Sequence, residues 1–134
     1  MTVALDTSAV LALAIDGPER PIVLDALGRD TVWSASALAL GEAVPAIDRL
    51  VDEPVLRADA EDAVRRTWDH LHVVPVDQRC LDVAADLARQ HPTRLAHAIH
   101  LAAALRMPRP VTFVTFDAAQ IGVAVALGLA VVSR

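Results

Sequence analysis

The chain has 134 residues and a formal net charge of −5, with 54% hydrophobic but only 3% aromatic residues. That length suits one domain with an aliphatic core, and the lone Cys80 excludes an internal disulfide and any multi-cysteine metal site. All 12 basic residues are Arg, which excludes lysine-dependent chemistry such as P-loop ATPases, Schiff-base enzymes and receiver-type phosphorylation.

The first segment, Val3-Ala4-Leu5-Asp6, is a short apolar run that ends on one carboxylate. Such a run predicts a buried parallel strand that delivers an acid to the C-terminal edge of a sheet, where ligands gather in open α/β folds. Thr7 or Ser8 is placed to cap a helix from Ala9 to Ala14, stopped by Asp16-Gly17-Pro18. Pro21 suits a first helical turn, and the helix it opens ends at Gly28. Thr31-Val32-Trp33 reads as the second strand, and Ser36 as the N-cap of a helix that carries Glu42 in an otherwise apolar stretch. Pro45 interrupts that helix and predicts a kink near Gly41.

Pro54 opens a more polar helix, from about Val55 to Leu71. His72 to Val76 is expected as a third strand, with Pro75 placing it near a sheet edge. Asp77 caps the next helix, and Pro92-Thr93 breaks it. Arg94 to Met107 predicts a strongly apolar helix interrupted by His97 and His100. Val111 to Phe116 is the clearest strand and leads into a second carboxylate, Asp117. A helix from Ala118 to Leu127 closes on Gly128, a suitable C′ residue, and Leu129 to Val132 is the last strand. Strands that alternate with helices, with no hairpin signal, mean an α/β fold with a parallel sheet covered on both faces.

Two strands that lead to Asp, at Asp6 and Asp117, and a lone Glu on an apolar helix, Glu42, supply three carboxylates for one edge. Like charges buried together need a cation, and hard oxygen ligands in that number suit Mg²⁺ or Mn²⁺. Such a site activates water for attack on a phosphodiester. On spacing alone, separate helix caps and a partly exposed Glu explain the same residues. No GxGxxG follows a strand and no G-x-S-x-G occurs, against dinucleotide binding and nucleophile-elbow hydrolysis. The negative total argues against a surface that coats nucleic acid, without excluding a local basic groove. No apolar run reaches the roughly 20 residues of a membrane span and no basic n-region is visible at the start, so a cytoplasmic protein is expected.

Four motifs, in order, resemble the PIN-domain family, and most closely its VapC-type toxins from bacterial toxin–antitoxin pairs. They are Leu5-Asp6-Thr7-Ser8-Ala9, Ser36 to Glu42, Arg94 to Leu105 and Phe113-Val114-Thr115-Phe116-Asp117. The resemblance covers residues 1–134 as a single PIN domain. It implies a three-layer α/β/α fold with strand order 3-2-1-4-5, a Mg²⁺- or Mn²⁺-dependent endoribonuclease and a homodimer inhibited by a cognate antitoxin. By position, Asp6, Glu42 and Asp117 would be acidic metal-site residues, with Ser8 and Thr115 in support and Arg94 a candidate for RNA phosphates. The chain departs from the family at His97, where the pattern has an acidic residue. Either metal binding weakens there, or His97 ligates and shifts preference towards Mn²⁺ or another transition metal. The alternative function is a degenerate domain that binds RNA or an antitoxin-like partner without cutting.

Overall fold

A computed structural model describes residues 1–134. Five short strands, β1 (Thr2–Leu5), β2 (Val32–Ser36), β3 (His72–Val74), β4 (Val111–Val114) and β5 (Ala130–Val132), form one sheet of order β3-β2-β1-β4-β5. Every pairing is parallel, and β1 is central between β2 and β4. The expected order is therefore met. Asp6 and Asp117 follow adjacent strands, as a shared site requires.

Seven helices cover the sheet: α1 (Thr7–Ala14), α2 (Arg20–Gly28), α3 (Ala37–Leu50), α4 (Pro54–Trp68), α5 (Gln78–Gln90), α6 (Leu95–Leu105) and α7 (Ala118–Ala126). Side chains alternate across the strands, so the core divides by sheet face. Val3, Leu5, Ala35 and Val114 pack with Val10, Val23, Ile47 and Val64, from α1 to α4. Ala4, Val111 and Phe113 pack with Cys80, Leu101, Ala102 and Val123, from α5 to α7. Alanines from α5 and α6 fill much of the second face, and their small side chains let these two helices approach closely.

Several local expectations need correction. The third strand ends at Val74 and not Val76, and the polar helix at Trp68 and not Leu71. The first helix begins at Thr7, and its N-cap is Asp6 itself, not Thr7 or Ser8. The second strand runs from Val32 to Ser36 and not from Thr31 to Trp33. Strand β4 stops at Val114, three residues before Asp117. Pro45 does not interrupt its helix, which is continuous from Ala37 to Leu50. Proline removes one N–H and crowds the carbonyl four residues back, but Gly41 and Pro45 are both exposed, so water can serve the freed carbonyl. Gly128 has φ +82°, the left-handed geometry expected of it after α7.

Candidate active site

Asp6 is 2% exposed and holds the turn from β1 into α1. Its Oδ1 accepts from the Ser8 hydroxyl at 2.6 Å and the Ala9 N–H at 3.0 Å. Its Oδ2 accepts from the Thr115 hydroxyl at 2.5 Å and the Gln120 amide at 2.9 Å. A carboxylate offers about four lone-pair positions, and all four are engaged here. The same hydroxyls continue the network: Ser8 accepts from the Phe116 N–H and Thr115 from the Asp117 N–H. Ser8 and Thr115 thus both touch Asp6 and link it to the segment that carries Asp117.

Glu42 reaches the same place from the second turn of α3, which Ser36 caps by accepting from the Leu38 N–H. Its Oε1 lies 2.6 Å from Thr7 Oγ1 and 2.7 Å from His100 Nε2. The His100 hydrogen bond holds the Glu42 carboxyl below its ordinary value, against the effect of burial and with help from Thr7. Asp117 caps α7 through the Ala119 N–H, and its Oδ2 lies 2.8 Å from His97 Nε2. His97 and His100 sit one turn apart on α6, so each presents its imidazole to a different carboxylate.

Asp6, Glu42, His97, His100 and Asp117 line one cavity of about 240 Å³, together with Thr7, Ser8, Leu11 and Gln120. Three carboxylates converging on a small polar cavity have the donor chemistry of a hard divalent cation. As placed, no three His, Cys, Asp or Glu side chains are grouped to hold an ion. The hydrogen bonds explain this: Asp6 is saturated, and the two histidines draw Glu42 and Asp117 to themselves. Glu42 Oε2 receives no hydrogen bond from the chain and is the most available oxygen. Arg94 precedes α6 as an exposed N-cap residue and does not line the cavity.

Sequence reasoning missed Gln120 and the full part of Thr7. Gln120 is a lone amide in an apolar helix, one turn after Asp117, which is the same signal that singled out Glu42. Thr7 follows Asp6 directly but was weighed only as a helix cap.

Residues 3–134 match the family model described as PIN domain. The chain belongs to the PIN-domain family. The expected VapC type is also met: the chain is 35% identical over 130 residues to Ribonuclease VapC46 of Mycobacterium tuberculosis, covering 96% of this chain and 95% of that protein. Among solved structures, FitAcB from Neisseria gonorrhoeae superposes with a TM-score of 0.72 at 18% identity, covering 98% of this chain and 96% of that one. The VapBC-5 toxin–antitoxin structure from Mycobacterium tuberculosis gives a TM-score of 0.67 at 17% identity, covering 99% and 98%. At such identities these structures support the PIN fold alone.

Proposed function

We propose that this PIN domain, spanning residues 1–134, is a metal-dependent endoribonuclease toxin. The observation that carries the reading is the convergence of Asp6, Glu42 and Asp117 on one cavity at the C-terminal edge of the sheet. The resemblance to a named ribonuclease supports it. Asp6, Asp117 and Glu42 would hold Mg²⁺ or Mn²⁺, with His97 as an altered fourth position, Asp6 and Asp117 each giving up one of their present hydrogen bonds to the ion. When bound, the cation would supply an activated water and neutralise charge developing on a phosphodiester.

The chain's own residues do the rest. Ser8, Thr115 and Gln120 fix Asp6 in one orientation. Glu42 keeps one unpartnered oxygen to orient water or accept its proton. His97 and His100 each place Nε2 within hydrogen-bond distance of a carboxylate, Asp117 and Glu42 respectively, and so hold its orientation. Arg94 is an exposed cation at the start of the histidine helix, available to RNA phosphate.

The proposed partner is a cognate antitoxin, as in the toxin–antitoxin structures that share the fold. A groove beside the site supports this. One cavity of about 430 Å³ is lined by Leu11, Ala12, Ile15, Leu50 and Phe116 together with the charged Asp16, Glu19, Arg20 and Arg134. It shares Ile15, Asp16 and Arg20 with a second cavity of about 430 Å³ and Ser8 and Leu11 with the site itself. A partner segment in this groove would end at the carboxylates. A homodimer and a cytoplasmic location complete the proposal. No helix is long and apolar enough to cross a membrane.

The deciding experiment is cleavage of RNA by purified protein in Mg²⁺ and in Mn²⁺, with and without chelator. Cleavage that chelation abolishes is the expected result. The second reading, a degenerate domain that binds without cutting, is favoured by one observation: each of the two outer carboxylates is engaged by a histidine. RNA binding without cleavage in either metal would establish it.

A further inference from the structure

Glu42 is held by two side chains that belong to neither its own helix nor the carboxylate set. Thr7 Oγ1, His100 Nε2 and Glu42 Oε1 form a closed triangle with edges of 2.6, 2.7 and 3.1 Å. Proton counting fixes the roles. An ionised carboxylate only accepts, so the Thr7 hydroxyl donates to Oε1. An unprotonated Nε2 at 2.7 Å would oppose its lone pair to the carboxylate, so Nε2 carries a proton and also donates.

The other ring nitrogen has no part in this. His100 is 3% exposed, and its Nδ1 is buried with no hydrogen-bond partner. The ring is therefore held through Nε2 alone, pinned between Glu42 and the apolar packing of α6.

We infer that Thr7 and His100 are positioning residues that fill one oxygen of Glu42 with two donors and so present Oε2, alone, to the cavity. Glu42 is half-exposed on a flexible side chain, so without these donors its carboxylate would sample several rotamers. The Oε1 bonds place the reactive oxygen from the opposite end of the carboxylate and leave it unobstructed. This rests on the ribonuclease reading for its catalytic consequence, though the hydrogen-bond geometry stands apart from it.

The test has two arms. In the metal-free protein, ¹⁵N NMR of the His100 ring should show a proton on Nε2. An unprotonated Nε2 overturns the assignment whether or not the protein cuts RNA. In the second arm, Thr7→Val removes the donor at constant shape and Thr7→Ser restores it. Likewise, His100→Gln keeps an N–H near Oε1, while His100→Leu does not. Thr7→Val and His100→Leu should lower kcat for RNA cleavage and the affinity for Mn²⁺, read by electron paramagnetic resonance, by about 10-fold or more, with KM for RNA little changed. Thr7→Ser should return to within about threefold of wild type.

A Thr7→Val protein that folds with wild-type kcat and Mn²⁺ affinity overturns the positioning role, as does a Thr7→Ser protein no better than Thr7→Val. A wild-type protein with the predicted Nε2 proton but neither Mn²⁺ binding nor cleavage overturns the ribonuclease reading instead. It also removes the catalytic consequence drawn for Thr7 and His100, so the two failures are told apart.

Discussion

Asp6 and Asp77 begin from the same local construction. Each follows a strand, adopts extended backbone (φ −88°, ψ −178° and φ −92°, ψ −178°) and caps a helix by accepting the N–H three residues on. Their surroundings then diverge. Asp77 follows the edge strand β3, is exposed, and has one further side-chain partner, Arg106, at 2.9 Å. Asp6 follows the central strand β1, is buried, and takes three more donors from Ser8, Thr115 and Gln120. An Asp cap at a strand end is thus not a site in itself. Position in the sheet decides: β1 lies between β2 and β4, so hydroxyls, an amide and other carboxylates can reach its end from both sides, whereas the edge strand β3 has a neighbour on one side only.

The largest expected difference between the two lies in stability. Asp6→Ala leaves four donors without their acceptor, most of them away from water. At about 1 to 3 kcal/mol for each buried unsatisfied donor, with partial relaxation, the loss should be about 3 kcal/mol or more. Asp77→Ala should cost much less. Urea unfolding measures both, and equal losses would break the comparison. Because Asp6→Ala disturbs folding, catalysis is better probed at Glu42. Glu42→Gln should abolish cleavage while moving stability by less than about 1 kcal/mol.

A second test reaches Asp6 through one donor. Thr115 is fully buried, and Thr115→Val keeps its shape while removing the hydroxyl. Losing one charge-assisted hydrogen bond should lower stability by about 2 kcal/mol. A neutral result would mean that three donors satisfy Asp6 as well as four do.

Much of this was legible in the chain. Strand-helix alternation led to the parallel sheet, the apolar runs led to strands before Asp6 and Asp117, and the strand order implied by the family resemblance made those strands adjacent. What the sequence hid was set by contacts distant along the chain. Strand β2 extends through Ser34 and Ala35, residues with little preference for strands, because they pair with Ala4 and Leu5 of the central strand. Asp6 displaced Thr7 and Ser8 as the cap, since its carboxylate accepts the Ala9 N–H while the Ser8 hydroxyl donates to Asp6 and the Thr7 hydroxyl to Glu42. Gln120 gained its part only when α7 was laid against β1, 114 residues away in sequence from Asp6.

His97 sharpens the comparison from the opposite side of the cavity. The family pattern has an acidic residue there, and the imidazole instead lies 2.8 Å from Asp117. A neutral ring offers one softer ligand and no charge. His97→Asp should therefore raise Mg²⁺-dependent RNA cleavage by about tenfold, an effect of the size seen when a metal's surroundings change. His97→Ala should show weak activity or none. Equal rates for wild type and His97→Asp in Mg²⁺ would remove position 97 from the working site.

The smallest expected effect belongs to Asp77, and its sign can be worked out. The Cys80 N–H holds its carboxyl below the ordinary value, desolvation opposes this, and Arg106 adds to the lowering. A depressed carboxyl pKa in the folded state contributes stability that is complete above the unfolded value of about 3.9 and fades as pH falls through the folded value. Asp77→Asn preserves the capping oxygen but not the charge. Wild type should therefore be slightly more stable than Asp77→Asn at pH 7, and the gap in urea midpoint should close as pH falls below about 4. Salt should narrow it as well, since this pair is exposed to solvent. A gap that stayed constant from pH 7 to pH 3 would mean that Asp77 acts by shape alone, and that its charge contributes nothing that the buried Asp6 could be compared with.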